Sequence, residues 1–233
     1  VFTTSAAHSL AVNDEVSISG ILGMSEISGF YQVNTVPSAT TFTLKNIFGT
    51  PIDTTNFTTY VSGGTTSKVF KVAHTYAEAD LENLKYAQTG DTLFISHNNY
   101  RTQIIQRVSD LSWTFAAHTT SGGTGINTTT SNTWPRAVCF TPDSRLILAG
   151  TSLKPETVWG SKTPSQSSGD TQFSNFGAPS VIDDIRASDG YVYTLASTTG
   201  KIDYIEWVSN TPKALVIGTQ GSVRRMYGEV EGA

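Results

Sequence analysis

Cysteine and charge are both scarce in this 233-residue chain. The single cysteine, Cys139, sits in the apolar run Ala137-Val138-Cys139-Phe140. That excludes a disulfide framework and a thiolate metal centre, and it predicts a buried core thiol. Charged residues make up 15% of the chain, against roughly 25% in ordinary globular domains. Net charge is -4 and no basic block occurs, which argues against sequence-specific binding of nucleic acid. No apolar run is long enough to span a membrane. The chain has no G-x-S-x-G elbow, no phosphate-binding Walker loop and no complete dinucleotide fingerprint. Gly122-Gly123-Thr124-Gly125 is glycine-rich, but no apolar strand enters it and no helix leaves it.

Titratable residues are present without a pattern. The four histidines, His8, His74, His97 and His118, show no ligand spacing, so no metal site is assigned. His97 follows a strand-like run and precedes Asn98-Asn99, a position that suits capping of a turn. Asp183-Asp184 is the adjacent carboxylate pair, and neighbours on a strand face opposite ways. Glu156 and Asp170 fall in loops and give no support for a glycosidase pair. Arg224-Arg225 opens a strand, with one side chain expected to meet an acid and the other to face solvent. Asn56-Phe57-Thr58 and Asn127-Thr128-Thr129 are formal glycosylation sequons of the kind a Thr-rich chain produces by chance. Trp113, Trp134, Trp159 and Trp207 stand near strand ends, where they read as packing wedges rather than sugar platforms. No catalytic, cofactor-binding or metal-binding residue is assigned, and the chain is read as a non-enzyme.

What the chain does contain is strand signal. Hydrophobic residues make up 38% and aromatics 10%, and the polar remainder is rich in Thr, Ser, Asn and Gly. Residues 1–66 predict a small β-barrel or sandwich module. Its alternating runs are Val16 to Ser19, Tyr31 to Val36, Thr41 to Leu44 and a closing Thr59 to Ser62, with Gly63-Gly64 as breakers. Val69 to Ala73 predicts a further strand. Thr75-Tyr76-Ala77-Glu78 has the form of a capping box, so one short helix of two or three turns is expected before Gly90.

Residues 67–233 predict only strands beyond that helix. A first sheet uses Lys85 to Gln88, Leu93 to Ile95, Gln103 to Val108 and Trp113 to Phe115. Residues 119–133 predict an exposed, mobile loop. A second sheet uses Ala137 to Phe140, Leu146 to Ala149, Thr157 to Trp159 and the Phe173/Phe176 region. A third uses Ile185, Tyr191 to Leu195, Ile202 to Val208, Leu215 to Gly218 and Val223 to Tyr227. Each sheet contains a strand ending in a small residue or His, a polar turn and an aromatic-bearing strand. Leu93 and Leu146 lie 53 residues apart and Leu146 and Leu215 lie 69 apart; propeller blades run roughly 40–50 residues, so the spacing fits blades with loop insertions. The expectation is therefore an all-β chain: a small β-barrel module, one short helix, then about three blades of a β-propeller-like domain. Propellers close with about four to eight blades, so the chain is read as part of a longer polypeptide.

Two stretches resemble known families. Ala7-His8-Ser9-Leu10, Asn13 to Gly20, Gly23-Met24 and Thr41-Phe42-Thr43-Leu44 resemble a small β-barrel module found in ubiquitin-activating enzymes and in tailed-phage structural proteins. Ser9 departs from the usual Gly, and Ser28-Gly29 from the usual Asn-Gly. Tyr76 to Leu81, Leu84 to Gln88, Asp91 to His97, Ser112 to Thr114, Pro135 to Val138, Arg145 to Thr151, Pro155 to Ser161 and Phe173 to Phe176 are similar to bacteriophage tail tubular (nozzle) proteins. That resemblance implies a virion structural protein at the distal end of a short tail. It implies a homo-oligomeric ring, a hexamer, around the DNA channel. It also implies tail adaptor and tail fibre proteins as partners, non-specific passage of phage DNA, and contact of the first module with fibres or a host surface glycan. It implies no catalytic residue and no cofactor. A carbohydrate-binding or carbohydrate-active propeller and a standalone adhesin or fibre module are the alternatives.

Overall fold

The computed structural model describes residues 1–109, 112–122, 125–163, 173–177, 188–196, 200 and 202–227. The chain is all-β, and among the described residues the named strands pair antiparallel, with one isolated parallel bridge between Ser121 and Asn175. It divides into two compact units, Val1–Lys71 and Val72–Ala233.

The first unit is a five-stranded sheet of β1 (Phe2–Thr3), β2 (Glu15–Leu22), β3 (Gly29–Ser38), β4 (Thr41–Lys45) and β5 (Ser62–Lys68), in the order β1-β4-β3-β2-β5. Alternation places Val16 and Ile18 of β2, Val33 of β3, and Phe42 and Leu44 of β4 in one core with Ile27, as a period of two requires. The expected closing strand lies later than its alternation suggested. Gly63 and Gly64 fall inside β5, paired with β2, rather than ending a strand. Both have positive φ, a conformation glycine adopts without penalty. A Cβ on Gly64 would lie 2.7 Å from the Ile21 side chain, so β5 hugs β2 only because that atom is missing. β5 also crosses the expected boundary at residue 66, and the unit runs on to Lys71. The strand expected over Val69 to Ala73 does not form. The Val69 amide extends the ladder by one bond, donating to the Glu15 carbonyl at 2.7 Å.

The second unit begins with an extended segment and a 3-10 helix, Glu78–Asn83, about two turns. The capping box is not made. Ala77 occupies the cap position with no side-chain bond, and the Tyr76 amide is held by His74 Nδ1 at 3.2 Å. Three meanders follow. The first comprises β6 (Lys85–Thr89), β7 (Thr92–His97), β8 (Tyr100–Ser109) and β9 (Ser112–Ala117). The second comprises β10 (Ala137–Phe140), β11 (Leu146–Ala149), β12 (Thr157–Gly160) and β13 (Tyr191–Thr194). The third comprises β14 (Ile205–Asn210), β15 (Leu215–Thr219) and β16 (Val223–Met226).

Parity along the second meander shows how the unit packs. Ala137, Cys139, Ile147, Ala149 and Val158 point into a core shared with Ile205, Val208, Leu215 and Ile217 of the third meander. Val138, Leu146, Leu148 and Trp159 point the other way, into a core shared with Phe94 of the first meander, Ile126 and Phe176. Both faces of this sheet are covered. That is why its strands are near-continuous apolar runs rather than alternating ones. The fourth strand is Tyr191–Thr194, paired with β12, and not the Phe173/Phe176 region. Phe176 instead plugs the core between the first two meanders. Tyr191–Thr194 therefore belongs to the second sheet and not the third, and Ile185 lies outside the described residues. The loop over 119–133 is anchored: Ile126, Asn127 and Thr133 are buried.

Candidate functional site

The first strands of the three meanders come together. β10 packs beside both β6 and β14. A cleft of about 200 Å³ opens there, lined by Leu84, Lys85 and Tyr86, by Ala137 and Val138, and by Trp207 and Val208. Its position follows from strand order. Each meander's later strands pair outward from its first, so three first strands are left to face one another.

Two aromatics give the cleft its character. Tyr86 is 73% exposed and Trp207 is 40% exposed. Trp207 pairs with Gly218 across β14 and β15, and a Cβ on Gly218 would fall 1.9 Å from the indole. The indole therefore lies across the bare glycine backbone and shields it from water, the known remedy for glycine in a sheet. Tyr191 covers Gly160 in the same way on β12 and β13. One residue before Ala137 and one before Trp207, Arg136 and Glu206 form an ion pair that ties β10 to β14. Gln220 donates to the same carboxylate at 2.9 Å. The Arg136 guanidinium lies 5.7 Å from the centre of the Tyr204 ring. This constellation offers apolar contact and aromatic stacking.

The residues weighed from sequence scatter. His8, His74 and His97 each accept, at Nδ1, the backbone N–H two residues ahead. His97 thus caps its turn as its position suggested. Among the described residues no group of three or more His, Cys, Asp and Glu is placed to hold a metal. Glu156 accepts the Asp203 amide at 3.0 Å. Asp170 and Asp183-Asp184 lie outside the described residues. Arg224 bonds Ser222 Oγ and the Ala196 carbonyl rather than a carboxylate, and Arg225 is exposed. Cys139 is buried and its thiol is pushed up to about 12 by that burial, so it is no nucleophile at neutral pH. Trp159 is fully buried, and Trp134 donates to the Thr128 carbonyl at 3.0 Å. Trp113 and Trp207 are exposed at the surface.

His118 is the strongest buried titratable group outside the cleft. Its ring stands edge-on to Phe94 at 5.2 Å. Burial pushes its pKa down from 6.5 to about 4, the Phe173 backbone opposing and Arg101 adding to the shift. The unfolded chain takes up this proton below about pH 6.5, whereas the folded chain refuses it until about pH 4. Stability is therefore lost as pH falls across that window, by up to about 3 kcal/mol. Urea unfolding of wild type and His118→Leu between those pH values should show a flatter profile for the variant. Parallel profiles would show that His118 does not control acid stability.

The chain matches no protein-family model, and no curated protein matches it in sequence.

Proposed function

We propose that this chain is a structural component of a phage virion tail, at the nozzle or distal end of the tail tube, and that it works by assembling with copies of itself. In this reading the three meanders are blades of a propeller-like domain whose inner strands are β6, β10 and β14. The observation that carries it is where apolar surface remains. Among the described residues, the outer strands β9, β13 and β16, or the chain beside them, leave Val108, Trp113, Val192, Tyr193, Val223 and Tyr227 exposed. Such surface on an isolated chain marks contact with other protein. The chain's net charge of -4 suits a conduit wall, because a polyanion slides past an acidic surface without releasing counterions to it. Tail adaptor and fibre proteins, and host surface glycans, are the partners this role implies.

Electron microscopy and native mass spectrometry of the purified chain test the reading. Rings with a central channel are expected, and Trp113→Ser with Tyr193→Ser should return them to monomers. A chain that stays monomeric as its concentration is raised would sink the proposal. The exposed Tyr86 and Trp207 of the cleft favour one second reading, a carbohydrate-binding role, since aromatic faces stack on sugar rings. Glycan-array binding that disappears in Trp207→Ala would support it.

A further inference from the structure

The turn between β7 and β8 is fastened by a ring nitrogen. His97 pairs with Tyr100, so Asn98 and Asn99 alone make the loop. Two-residue hairpin loops favour turns with positive φ at the first central residue, because their twist matches that of the strands. Neither Asn98 nor Asn99 has positive φ. By contrast Gly90, in the two-residue loop between β6 and β7, does. The β7–β8 turn is accommodated instead by a register shift between Ile95 and His97, and a side chain adds a fastening. His97 Nδ1 supplies it by accepting the Asn99 amide at 3.1 Å. A ring nitrogen that accepts an N–H carries no hydrogen, so the proton of neutral His97 sits on Nε2. Nε2 faces Asp80 Oδ1 at 3.9 Å.

Asp80 joins that turn to the segment before β6. Tyr100 donates to its Oδ2 at 2.7 Å, and Asn99 Nδ2 donates to its Oδ1 at 3.3 Å. The Ala77 amide in turn donates to the Tyr100 hydroxyl at 2.9 Å. The same chain makes the i-to-i+2 bond elsewhere both with ring nitrogens, at His8 and His74, and with side-chain oxygens, Phe48 donating to Asn46, Thr55 to Asp53 and Gly177 to Asn175. An asparagine oxygen holds such a turn without titrating. At His97 the acceptor is a base that adds a proton at the bonding nitrogen.

We infer that His97 is an acid-released latch on the β7–β8 turn. When Nδ1 takes a proton it becomes a donor facing the Asn99 N–H, and the bond that holds the turn is lost. Asn99 then swings away from the ring, while the charged Nε2–H is drawn to Asp80 and the β7–β8 ladder persists. The groups that face the ring are the Tyr100 phenol, whose ring lies 5.5 Å away, Asp80, which favours the charged form, and Arg136 and Lys85, which oppose it. Burial is the largest influence and holds the ring below its ordinary pKa. The latch is therefore closed at neutral pH and opens only on the acid side of the free-imidazole range.

Amide hydrogen exchange and imidazole nitrogen shifts, followed by NMR on the full chain, test this. At neutral pH His97 should show a bare Nδ1 and a proton on Nε2. As His97 titrates, Asn99 protection, corrected for intrinsic exchange, should fall by roughly fivefold to tenfold, the worth of one hydrogen bond. In His97→Asn the asparagine oxygen replaces Nδ1, and Asn99 protection should not change over the same range. The reverse tautomer, unchanged Asn99 protection through the His97 titration, equal loss in His97→Asn, or a ring that stays neutral until the chain unfolds would each overturn the inference. The tautomer and titration are read on wild type, so they decide the matter even if the variant fails to fold.

Discussion

Replacing Arg145 with Met should lower the unfolding free energy by about 3–4 kcal/mol. The side chain is buried and its guanidinium works as a clamp. Nη1 donates to the Ser161 carbonyl at 2.8 Å, just past β12, and to the Asp189 carbonyl at 2.5 Å, just before β13. Nε donates to Asp143 at 2.6 Å, and the cation lies 5.7 Å from the centre of the Tyr191 ring. Methionine matches the aliphatic stem but removes the guanidinium donor from the buried Ser161 carbonyl and from the part-buried Asp189 carbonyl. Each such orphan costs about 1–3 kcal/mol. The Asp143 share is smaller, because half of that carboxylate's surface meets water and exposed pairs contribute little.

A pH series separates the two shares. Burial pushes the Asp143 pKa up, but hydrogen bonds from Thr141 and Arg145 outweigh it, and the net shift is downward. A carboxyl with a depressed folded pKa adds stability above its unfolded value and loses it as pH falls through the folded value. The gap between wild type and Arg145→Met should therefore narrow in acid by the Asp143 share and keep the carbonyl share. Urea unfolding at neutral and acid pH measures both. A loss below about 1 kcal/mol at neutral pH would mean that water replaces the clamp.

Arg145 also illustrates what a sequence conceals. The run Arg145-Leu146-Ile147-Leu148-Ala149 announces a strand, and it is one, but nothing local says that its leading arginine turns inward to two distant carbonyls. The first meander was legible throughout, because its strands are consecutive and its turns carry Gly90-Asp91 and Asn98-Asn99. Tyr191–Thr194 was legible as a strand yet assigned to the wrong sheet. Its partner β12 ends at Gly160, far back along the chain, and a period of two names a face but never a partner. Phe173 and Phe176 looked like strand aromatics for the same reason, although Phe176 fills a core. Val69 to Ala73 is a mostly apolar run, but such a run without a neighbouring ladder makes no strand. Tyr86 and Trp207 could not be joined from sequence, since only the meeting of β6 and β14 beside β10 brings them to one cleft. The anchoring of the loop at 126–133 had one signal, a lone Ile126 in a polar stretch, and polarity outweighed it.

That loop carries the second large effect. Asn127 sits with φ of 50°, fully buried. β8 and β9 pair as far as Gln103 and Ala117, and the His118 amide then donates to the Thr102 carbonyl at 2.8 Å. The return bond of that pair is missing, and the Asn127 carboxamide is inserted in its place. Oδ1 accepts the Thr102 amide at 2.9 Å and Nδ2 donates to the His118 carbonyl at 2.9 Å. Asn127→Gly keeps the backbone conformation and removes both bonds, so it should cost about 2–5 kcal/mol for two buried backbone groups left unpaired. Asn127→Ala should cost about 1 kcal/mol more, since alanine resists positive φ. Asn127→Asp distinguishes bonding from mere volume. Its carboxylate would face the His118 carbonyl without a donor, which raises its folded pKa. A raised folded pKa means that stability is gained as pH falls, opposite in sign to the His118 contribution. When protonated, the acid can donate to His118 and accept from Thr102, and much of the loss should return. Urea unfolding of the three variants against pH checks the order and the sign. An Asn127→Gly chain within about 1 kcal/mol of wild type would show that the buried amide is replaceable. The same geometry removes Asn127 from use as a sequon in the folded chain, because its Nδ2 is already committed inside.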